Sequence, residues 1–594
     1  MEMGPDQESQ DVKECQVVVS FFSDTPVVGC AVKPNVRVRV EGSVFQPPHS
    51  LCCTWYREQV KCSVHHSVLA SLQCISCEKL KMPFKKSYHC SPECFVAAWK
   101  EHLACHRVMT ETINSTAISD HQETKILRSC GSWSDLGSAM VVEGDWVKVG
   151  SSETYEPSED DTGFRLRLES LAVNLSTGTP MSPINIAETN PVITFPPRLS
   201  RCMIQLEKFR TICPSSDVTF NVLSYNILAD MYASISAEMQ SYCPTWALAW
   251  DYRQKNLLSE IIEYNADIIC LQEVQSDHFE NFFKPELTKL GYSVMFKAKK
   301  KGVYTEKGEI FEGCATFYRH LLFKEVIRYE LEFAKTALPL VDALGPEQKT
   351  EACIRLIKDN VAIVVVLEAI ENGCSDDGFQ TRICVANTHI HANPMHPDVK
   401  LCQVADLVHG LEKIVESQVP LLICADLNSL PESDPHKFLV RGGIGSLCST
   451  KETDPLGLYK HLKLKHPFVL VSAYASLCNA KGIEEQHSKK MDPNTYEPLF
   501  TRHTPRFSGT LDYIFYSADK MRLLGVLELV DGEMESVRHG LPSAQWSSDH
   551  IALMARFRIE APSPSLRKSS KAIFPRQPWF QPGSSSTWKA LNRY

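Results

Sequence analysis

Residues 420–429 read PLLICADLNS, an apolar run that stops abruptly at Asp426 and Asn428. A short apolar stretch bounded by turn-forming residues reads as a strand buried on both faces. Five other stretches have the same make: VTFNVLSYNIL (218–228), ADIICLQEV (266–274), RICVANTHI (382–390), TLDYIFYS (510–517) and SDHIALMARFRI (548–559). Between them, LAWDYRQKNLLSEIIEYN (248–265) and VKLCQVADLVHGLEKIVES (399–417) carry helical spacing. Strands alternating with amphipathic helices predict an α/β sandwich.

The polar residues fall where these strands end. Tyr225–Asn226, Gln272–Glu273, Asn387–Thr388–His389, Asp426–Leu427–Asn428 and Ser548–Asp549–His550 lie at or near the ends of five runs, and Asp512 lies in a sixth. Loops at one edge of a rigid sheet can gather such groups into one site. Their types suit phosphodiester hydrolysis. Mg²⁺ prefers a few carboxylates plus water and neutralises phosphate charge, and Glu273, emerging from a buried strand, is the expected ligand. Asp426 can orient or deprotonate the attacking water, with Asn428 holding that water or a phosphate oxygen. His550, oriented by a carboxylate, can stabilise a pentacovalent transition state.

Outward from this domain the texture changes. NVRVRVEGSVF (35–45) alternates Val36, Val38 and Val40 with Asn35, Arg37 and Arg39, and FRLRLES (164–170) does the same with Phe164, Leu166 and Leu168. With Trp55, Trp146 and a turn-rich YEPSEDDTG (155–163), residues 15–200 read as β-rich and similar to an immunoglobulin-like module. Residues 107–140 and 171–200 are rich in Ser, Thr, Pro and Asn and read as linkers, and 561–594 as a basic disordered tail.

Composition narrows the setting. A chain of 594 residues exceeds one hydrophobic core. No apolar run reaches the roughly 18–20 residues of a membrane span, so no membrane partner is expected. The acidic, polar MEMGPDQESQ is unlike a secretory or transit segment, which leads to the expectation of an intracellular protein whose 23 cysteines are thiols or metal ligands. Net charge is −9, so any grip on nucleic acid has to be local, with Lys297, Lys299, Lys300 and Lys301 as one candidate cluster.

Residues 60–107 hold a Cys/His series: Cys62, His65, Cys74, Cys77, Cys90, Cys94, His102 and His106. Soft ligands in close pairs are what tetrahedral Zn²⁺ needs, and eight suffice for two structural ions. The spacing, and YHCSPECFVAAWKEH (88–102) in particular, resembles a MYND-type finger. That resemblance implies interleaved sites, one of Cys62, His65, Cys90 and Cys94 and one of Cys74, Cys77, His102 and His106, with Cys105 as a substitute for His106.

In order, YN, LQE, NTH, DLNS, LDY and SDH resemble the endonuclease/exonuclease/phosphatase superfamily over residues 215–560. The resemblance implies a four-layered αββα sandwich. By matched motif it places Asn226 and Glu273 at Mg²⁺, gives Asp426 and Asn428 the nucleophile, pairs Asp512 with His550, sets His389 on the scissile phosphate, and offers Asp549 to a second metal. SYNILADMYA, FEGCATFYR, HANPMHPDVKLCQV and GTLDYIFYS are similar to the carbon catabolite repressor deadenylases, in a plant-type arrangement without leucine-rich repeats. That implies a Mg²⁺-dependent 3′-exonuclease that shortens poly(A) tails and releases 5′-AMP, with the terminal adenine stacked by Phe507 and Pro394. It implies poly(A) RNA and a second deadenylase subunit of the carbon catabolite repressor–Not complex as partners, the latter through the finger. Cytoplasmic decay granules are the expected place, with the nucleus second. A dinucleotide phosphatase or 2′,5′-phosphodiesterase, and a silent scaffold, remain the alternatives at this point.

Overall fold

The computed structural model describes residues 15–40, 48–59, 61–70, 72–74, 77, 87–116, 146–206, 217–235, 242–305, 308–370, 381–415, 418–445, 450, 452–479 and 484–560. The chain divides into two compact units, Met1–Phe195 and Pro196–Tyr594. The tail expected over 561–594 lies outside the described residues.

The second unit contains two large sheets. One runs, in spatial order, Tyr292–Ala298, Glu312–Arg319, Ile268–Gln275, Val218–Asn226, Leu553–Ile559, Arg522–Leu527 and Met203–Gln205. The other runs Phe323–Glu332, Val361–Ala369, Arg382–His389, Leu421–Asp426, Asp512–Ser517 and Leu470–Ser472. Each sheet has one parallel pair near its middle: Val218–Asn226 with Ile268–Gln275, and Arg382–His389 with Leu421–Asp426. A parallel pair needs a crossover, and the helices Trp250–Tyr264 and Pro397–Ile414 supply the two.

Side-chain alternation sorts the layers. Phe220, Val222, Leu422, Cys424 and Ile514 join the core between the sheets. Leu223 and Tyr225 pack with Leu257 and Ile261 of the first helix, while Leu421, Ile423 and Phe515 pack with Leu401, Val404 and Val408 of the second. The result is the αββα sandwich. Strand parity therefore points Asn226, Asp426 and Asp512 to the inter-sheet side, where the apolar core ends and the site begins.

The first unit is a four-stranded antiparallel sheet in the order Trp146–Gly150, His49–Glu58, Arg165–Asn174 and Asn185–Pro191, with a ribbon of Cys15–Phe21 and Pro34–Val40. Trp55, Leu166 and Leu168 are fully buried, and Val38 lies inside while Arg37 and Arg39 are exposed. Val17 and Val38 of the ribbon meet Ala172 of the sheet. The sheet and the ribbon hold six strands, and the Cys/His segment adds the short pair Leu72–Gln73 and Tyr88–His89. The linkers read from composition are partly ordered: 107–116 end a helix, and Asn185–Pro191 is a strand paired with Arg165–Ser170. Pairing with a neighbouring strand outweighs the weak local propensity of Asn, Thr and Pro at a sheet edge.

Candidate active site and zinc centres

Asn226 ends its strand and donates from Nδ2 to Glu273 Oε1 at 3.1 Å and Asp426 Oδ2 at 2.9 Å. Glu273 owes its position to a fault in the ladder. Ile269 and Leu271 face the helix layer, so a regular strand would aim Glu273 there too. The register shifts between Leu271 and Val274, and Glu273 adopts φ +56°. This bulge reverses the parity, so Val274 takes the helix-side core and Glu273 is released from it. Its Oε2 accepts from the Ala229 amide at 3.1 Å.

Asp426 and Asp512 face each other across the antiparallel strands that carry them. Asp512 Oδ2 lies 2.7 Å from His550 Nδ1 and accepts from Thr501 Oγ1 at 2.6 Å. His550 Nε2 lies 3.9 Å from Asp426 Oδ2 and 4.0 Å from Asp549 Oδ1. Asn428, at φ +46°, donates its amide to Asp426 Oδ1 at 2.9 Å, and its Nδ2 reaches His389 Nε2 at 2.9 Å and the Ile390 carbonyl at 3.0 Å. His389 Nε2 is 3.5 Å from Asp426 Oδ2. Eight of the residues singled out in the sequence, Asn226, Glu273, His389, Asp426, Asn428, Asp512, Asp549 and His550, thus lie in one connected network.

The electrostatics separate their roles. Burial first, and Asp512 next, push the Asp426 carboxyl up to about 7. Burial disfavours a charged His550, but Asp512 and Asp549 outweigh it and push the imidazole up to about 10. His389 goes the other way: burial, then the cations Lys299 and His550, hold it neutral far below the ordinary imidazole range. Burial, then Glu312 and Asp549, raise Glu273.

That rise in Glu273 is the observation on which Mg²⁺ can be tested. Burial and the neighbouring carboxylates outweigh the cationic His550 beside Glu273, and a hard dication takes oxygen ligands of this kind. The residues fit. Asp426, Asp512 and His550 also cluster tightly enough for a metal, but His550 Nδ1 is already committed to Asp512, so Glu273 is the better ligand.

Phe507 is half-buried on the hairpin Arg502–Thr504/Phe507–Gly509, just before Asp512, and Pro394 is exposed in the turn after His389. The lysine cluster is largely spent inside the protein. Lys297 pairs with Glu330 at 2.8 Å and Glu332 at 3.1 Å, Lys300 with Glu332 at 2.7 Å, and Lys299 with Glu312.

Several residues escaped the sequence reading. Glu312, at the head of FEGCATFYR, is buried and accepts from Tyr232 at 3.2 Å. Its signal was akin to the one that exposed Glu273, a lone acid at the end of an apolar strand. Arg253, fully buried, ties the first crossover helix to the Ser547 and Ile227 carbonyls at 2.8 Å each. Lys400 donates to the Asn428 carbonyl at 2.5 Å, and Arg502 Nε to Asp549 Oδ2 at 2.8 Å. Nothing in sequence spacing marks those last two.

In the first unit the Cys/His residues converge in two groups, Cys62 with His65, Cys90 and Cys94, and Cys74 with Cys77, His102 and His106. Separations of 3.5 Å (Cys62–Cys94), 3.8 Å (Cys62–His65), 3.5 Å (Cys94–His65) and 3.7 Å (Cys74–His106) fall within the edges, roughly 3.3–3.8 Å, of a tetrahedron around Zn²⁺, and those of 3.2 Å (His65–Cys90, Cys77–His102) and 3.1 Å (Cys77–His106) lie just short of them. His102 and His106 share a face of the helix Pro92–Thr116. Burial opposes ionisation of Cys62, yet the His65 and Val64 amides hold it at about 6, while Cys90, through burial and its bonds to Cys94 and Cys62, rises to about 11. Crowded thiols that cannot all ionise unaided suit a bound dication. His106 itself fills the place for which Cys105 was the substitute.

Comparison with known proteins follows from this geometry. The model of the Endonuclease/Exonuclease/phosphatase family matches residues 218–550. Carbon catabolite repressor protein 4 homolog 1 of Arabidopsis thaliana is 43% identical over 589 residues, covering 91% of this chain and 97% of that protein. The CCR4-Not complex 3′-5′-exoribonuclease subunit Ccr4 of Mycosarcoma maydis is 33% identical over 368 residues, 58% of this chain and 51% of that protein. The crystal structure of ANGEL2, a 2′,3′-cyclic phosphatase, is 27% identical with a TM-score of 0.46, covering 61% of this chain and 99% of that one. With six site motifs from two sheets brought to one end of the sandwich and a relative matched along nearly its whole length, the chain belongs to the endonuclease/exonuclease/phosphatase family of enzymes, among the carbon catabolite repressor 4 proteins.

Proposed function

We propose that this ribonuclease is a Mg²⁺-dependent, poly(A)-specific 3′-to-5′ exonuclease that shortens messenger-RNA tails and releases 5′-AMP. The observation that carries the reading is the pairing of Asp426, a carboxylate poised near neutrality, with His550, an imidazolium held by Asp512. A base and an electrostatic stabiliser thus face one point.

Glu273, with Asn226 and Asp549 beside it, would hold Mg²⁺, which when bound neutralises phosphate-oxygen charge. Asp426 accepts a proton from water as its oxygen bonds to phosphorus, and Asn428 orients that water. His550 donates a hydrogen bond to the phosphoryl oxygen as charge builds. Neutral His389 steadies the phosphate. The bond to the 3′ oxygen breaks, that oxygen takes a proton from solvent, and 5′-AMP leaves. Phe507 and Pro394 would flank the terminal adenine, a stacking contribution of about 1–3 kcal/mol.

The finger, held by two Zn²⁺, is the docking device toward the second deadenylase subunit of the carbon catabolite repressor–Not complex. Val96 and Trp99 on its helix are exposed and offer an apolar face. The place of action is the cytoplasm, with the nucleus as a second compartment. The similarity to the Mycosarcoma maydis Ccr4 protein, a subunit of the CCR4-Not complex, supports this assignment.

The test is purified protein on a 5′-labelled RNA ending in twenty adenosines, beside an oligo(U) control, with Mg²⁺ or EDTA and with Glu273→Ala. Stepwise loss of adenosines alone, abolished by EDTA and by the substitution, is the expected result. Phosphate release from a nicotinamide dinucleotide phosphate without RNA shortening would replace this reading by the phosphatase one.

A further inference from the structure

A site built from Glu273, Asp426, Asp512, Asp549 and Glu312 repels RNA unless cations meet the incoming phosphates. The nearby cations are mostly engaged: Lys299 pairs with Glu312, Lys400 with the Asn428 carbonyl, and Arg253 is fully buried. Arg502 differs. Its side chain is 36% exposed, and only Nε is taken, by Asp549 Oδ2 at 2.8 Å. Among the described residues neither Nη group has a hydrogen-bond partner. The guanidinium carbon lies 5.8 Å from the centre of the Phe507 ring, and residue 502 bridges His550 through the backbone.

We propose that Arg502 is a substrate-binding residue whose two Nη groups grip a phosphate of the RNA backbone beside the base stacked on Phe507. The ion pair with Asp549 and the ring of Phe507 fix the guanidinium plane from two sides, so little side-chain freedom is lost when a phosphate arrives. Two parallel N–H groups match two phosphate oxygens, a geometry lysine cannot reproduce although its charge can. The phosphate also replaces solvent at a cation whose ion-pair partner, Asp549, lies on its Nε side. Arg502 would therefore bind substrate at one edge while positioning Asp549 at the other. This inference rests on the RNA-cleaving reading above.

The experiment measures binding of a fluorescent twenty-adenosine RNA to the full chain in an Asp426→Asn background, from 50 to 200 mM KCl, by anisotropy (roughly the range over which counterion release is read). Loss of one phosphate contact makes the slope of log affinity against log salt shallower by about 0.7 for a single strand. Arg502→Met and Arg502→Gln, both checked for wild-type melting, are expected to show that change, and Arg502→Lys to restore the slope with weaker binding. The double variant Arg502→Met/Asp549→Asn is expected to keep the shallow slope. An unchanged slope in the folded Met or Gln variant would overturn the clamp, as would a wild-type slope in the double variant, since the effect would then be one of unbalanced charge at Asp549. If the unsubstituted active chain neither binds nor shortens RNA, the nuclease reading falls and the clamp with it; shortening with an unchanged slope removes the clamp alone.

Discussion

Asp426 and Asp512 are register partners on adjacent antiparallel strands, and the imidazole of His550 lies between their carboxylates, 2.7 Å from Asp512 and 3.9 Å from Asp426. Like charges directly opposite across a ladder destabilise it. Here an imidazolium offsets them, and the arrangement separates an anchored carboxylate from one that stays available to water.

The pH profile of kcat/KM should report this division. Asp426 must be ionised, so activity falls as pH drops through about 7 where Mg²⁺ is limiting. His550 must be protonated, so activity falls again as pH rises through about 10. In Asp512→Asn the attraction that raises His550 is removed, and the alkaline limb should move to lower pH with kcat reduced about 10²–10⁴-fold. An alkaline limb that stays in place would remove His550 from the mechanism.

Glu273→Gln should abolish activity while stabilising the metal-free protein. Its carboxylate is raised by burial and by Glu312 and Asp549, so the charge is unfavourable in the folded state without a cation. Raised folded-state pKa means that this group favours folding at low pH and loses that contribution as pH rises through its folded value. At pH 8 in EDTA, melting of Glu273→Gln should lie above the unsubstituted chain, and added Mg²⁺ should raise only the latter. Equal Mg²⁺ stabilisation of both would place the ion elsewhere.

Lys400→Met should lower kcat about 10-fold or more with little change in KM. Burial pushes this ammonium down to about 8, and it grips the carbonyl of Asn428, a residue in the left-handed region. Releasing that carbonyl loosens the turn that aims Asn428 at His389 and Asp426, and misplacement on the order of 1 Å can cost about 10² in rate. A change confined to KM would show that Lys400 meets substrate instead.

Lys297→Gln and Lys300→Gln should leave the salt dependence of RNA binding unaltered, because Glu330 and Glu332 already neutralise these ammonium groups. A shallower slope would return the cluster to the RNA interface.

Metal analysis should find two Zn²⁺ per chain, falling to one in either Cys94→Ser or Cys77→Ser, which belong to different groups. Loss of both ions in each variant would mean a single cooperative centre.

Much of this was legible in one dimension. Apolar run length identified the central strands and helical spacing both crossover helices, because a residue's tendency to face core or solvent is a local property. Asn226, Asp426 and His550 could be singled out since an acid, amide or imidazole ending an apolar run has no reason to be there in a mere core strand. The grouping of Cys62 with Cys94, and of Cys77 with His102, was what the family resemblance implied.

Other features belong to the tertiary structure. Parity along ADIICLQEV sends Glu273 to the wrong face, and only the bulge against Glu312–Arg319 turns it toward the site. Four lysines within five residues look like an RNA patch until Glu312, Glu330 and Glu332 arrive from other strands to pair with three of them. Arg502 and Lys400 carry no signature in their neighbours, and their importance lies in meeting Asp549 and Asn428. The sequence by itself determined which residues would be buried, which strands would form and what chemistry their ends could offer, because burial and propensity act over a few residues. Folding decided which charges cancel and which stay free to meet a phosphate, because Coulomb energy depends on distance in space and on the surrounding dielectric, and neither is written along the chain.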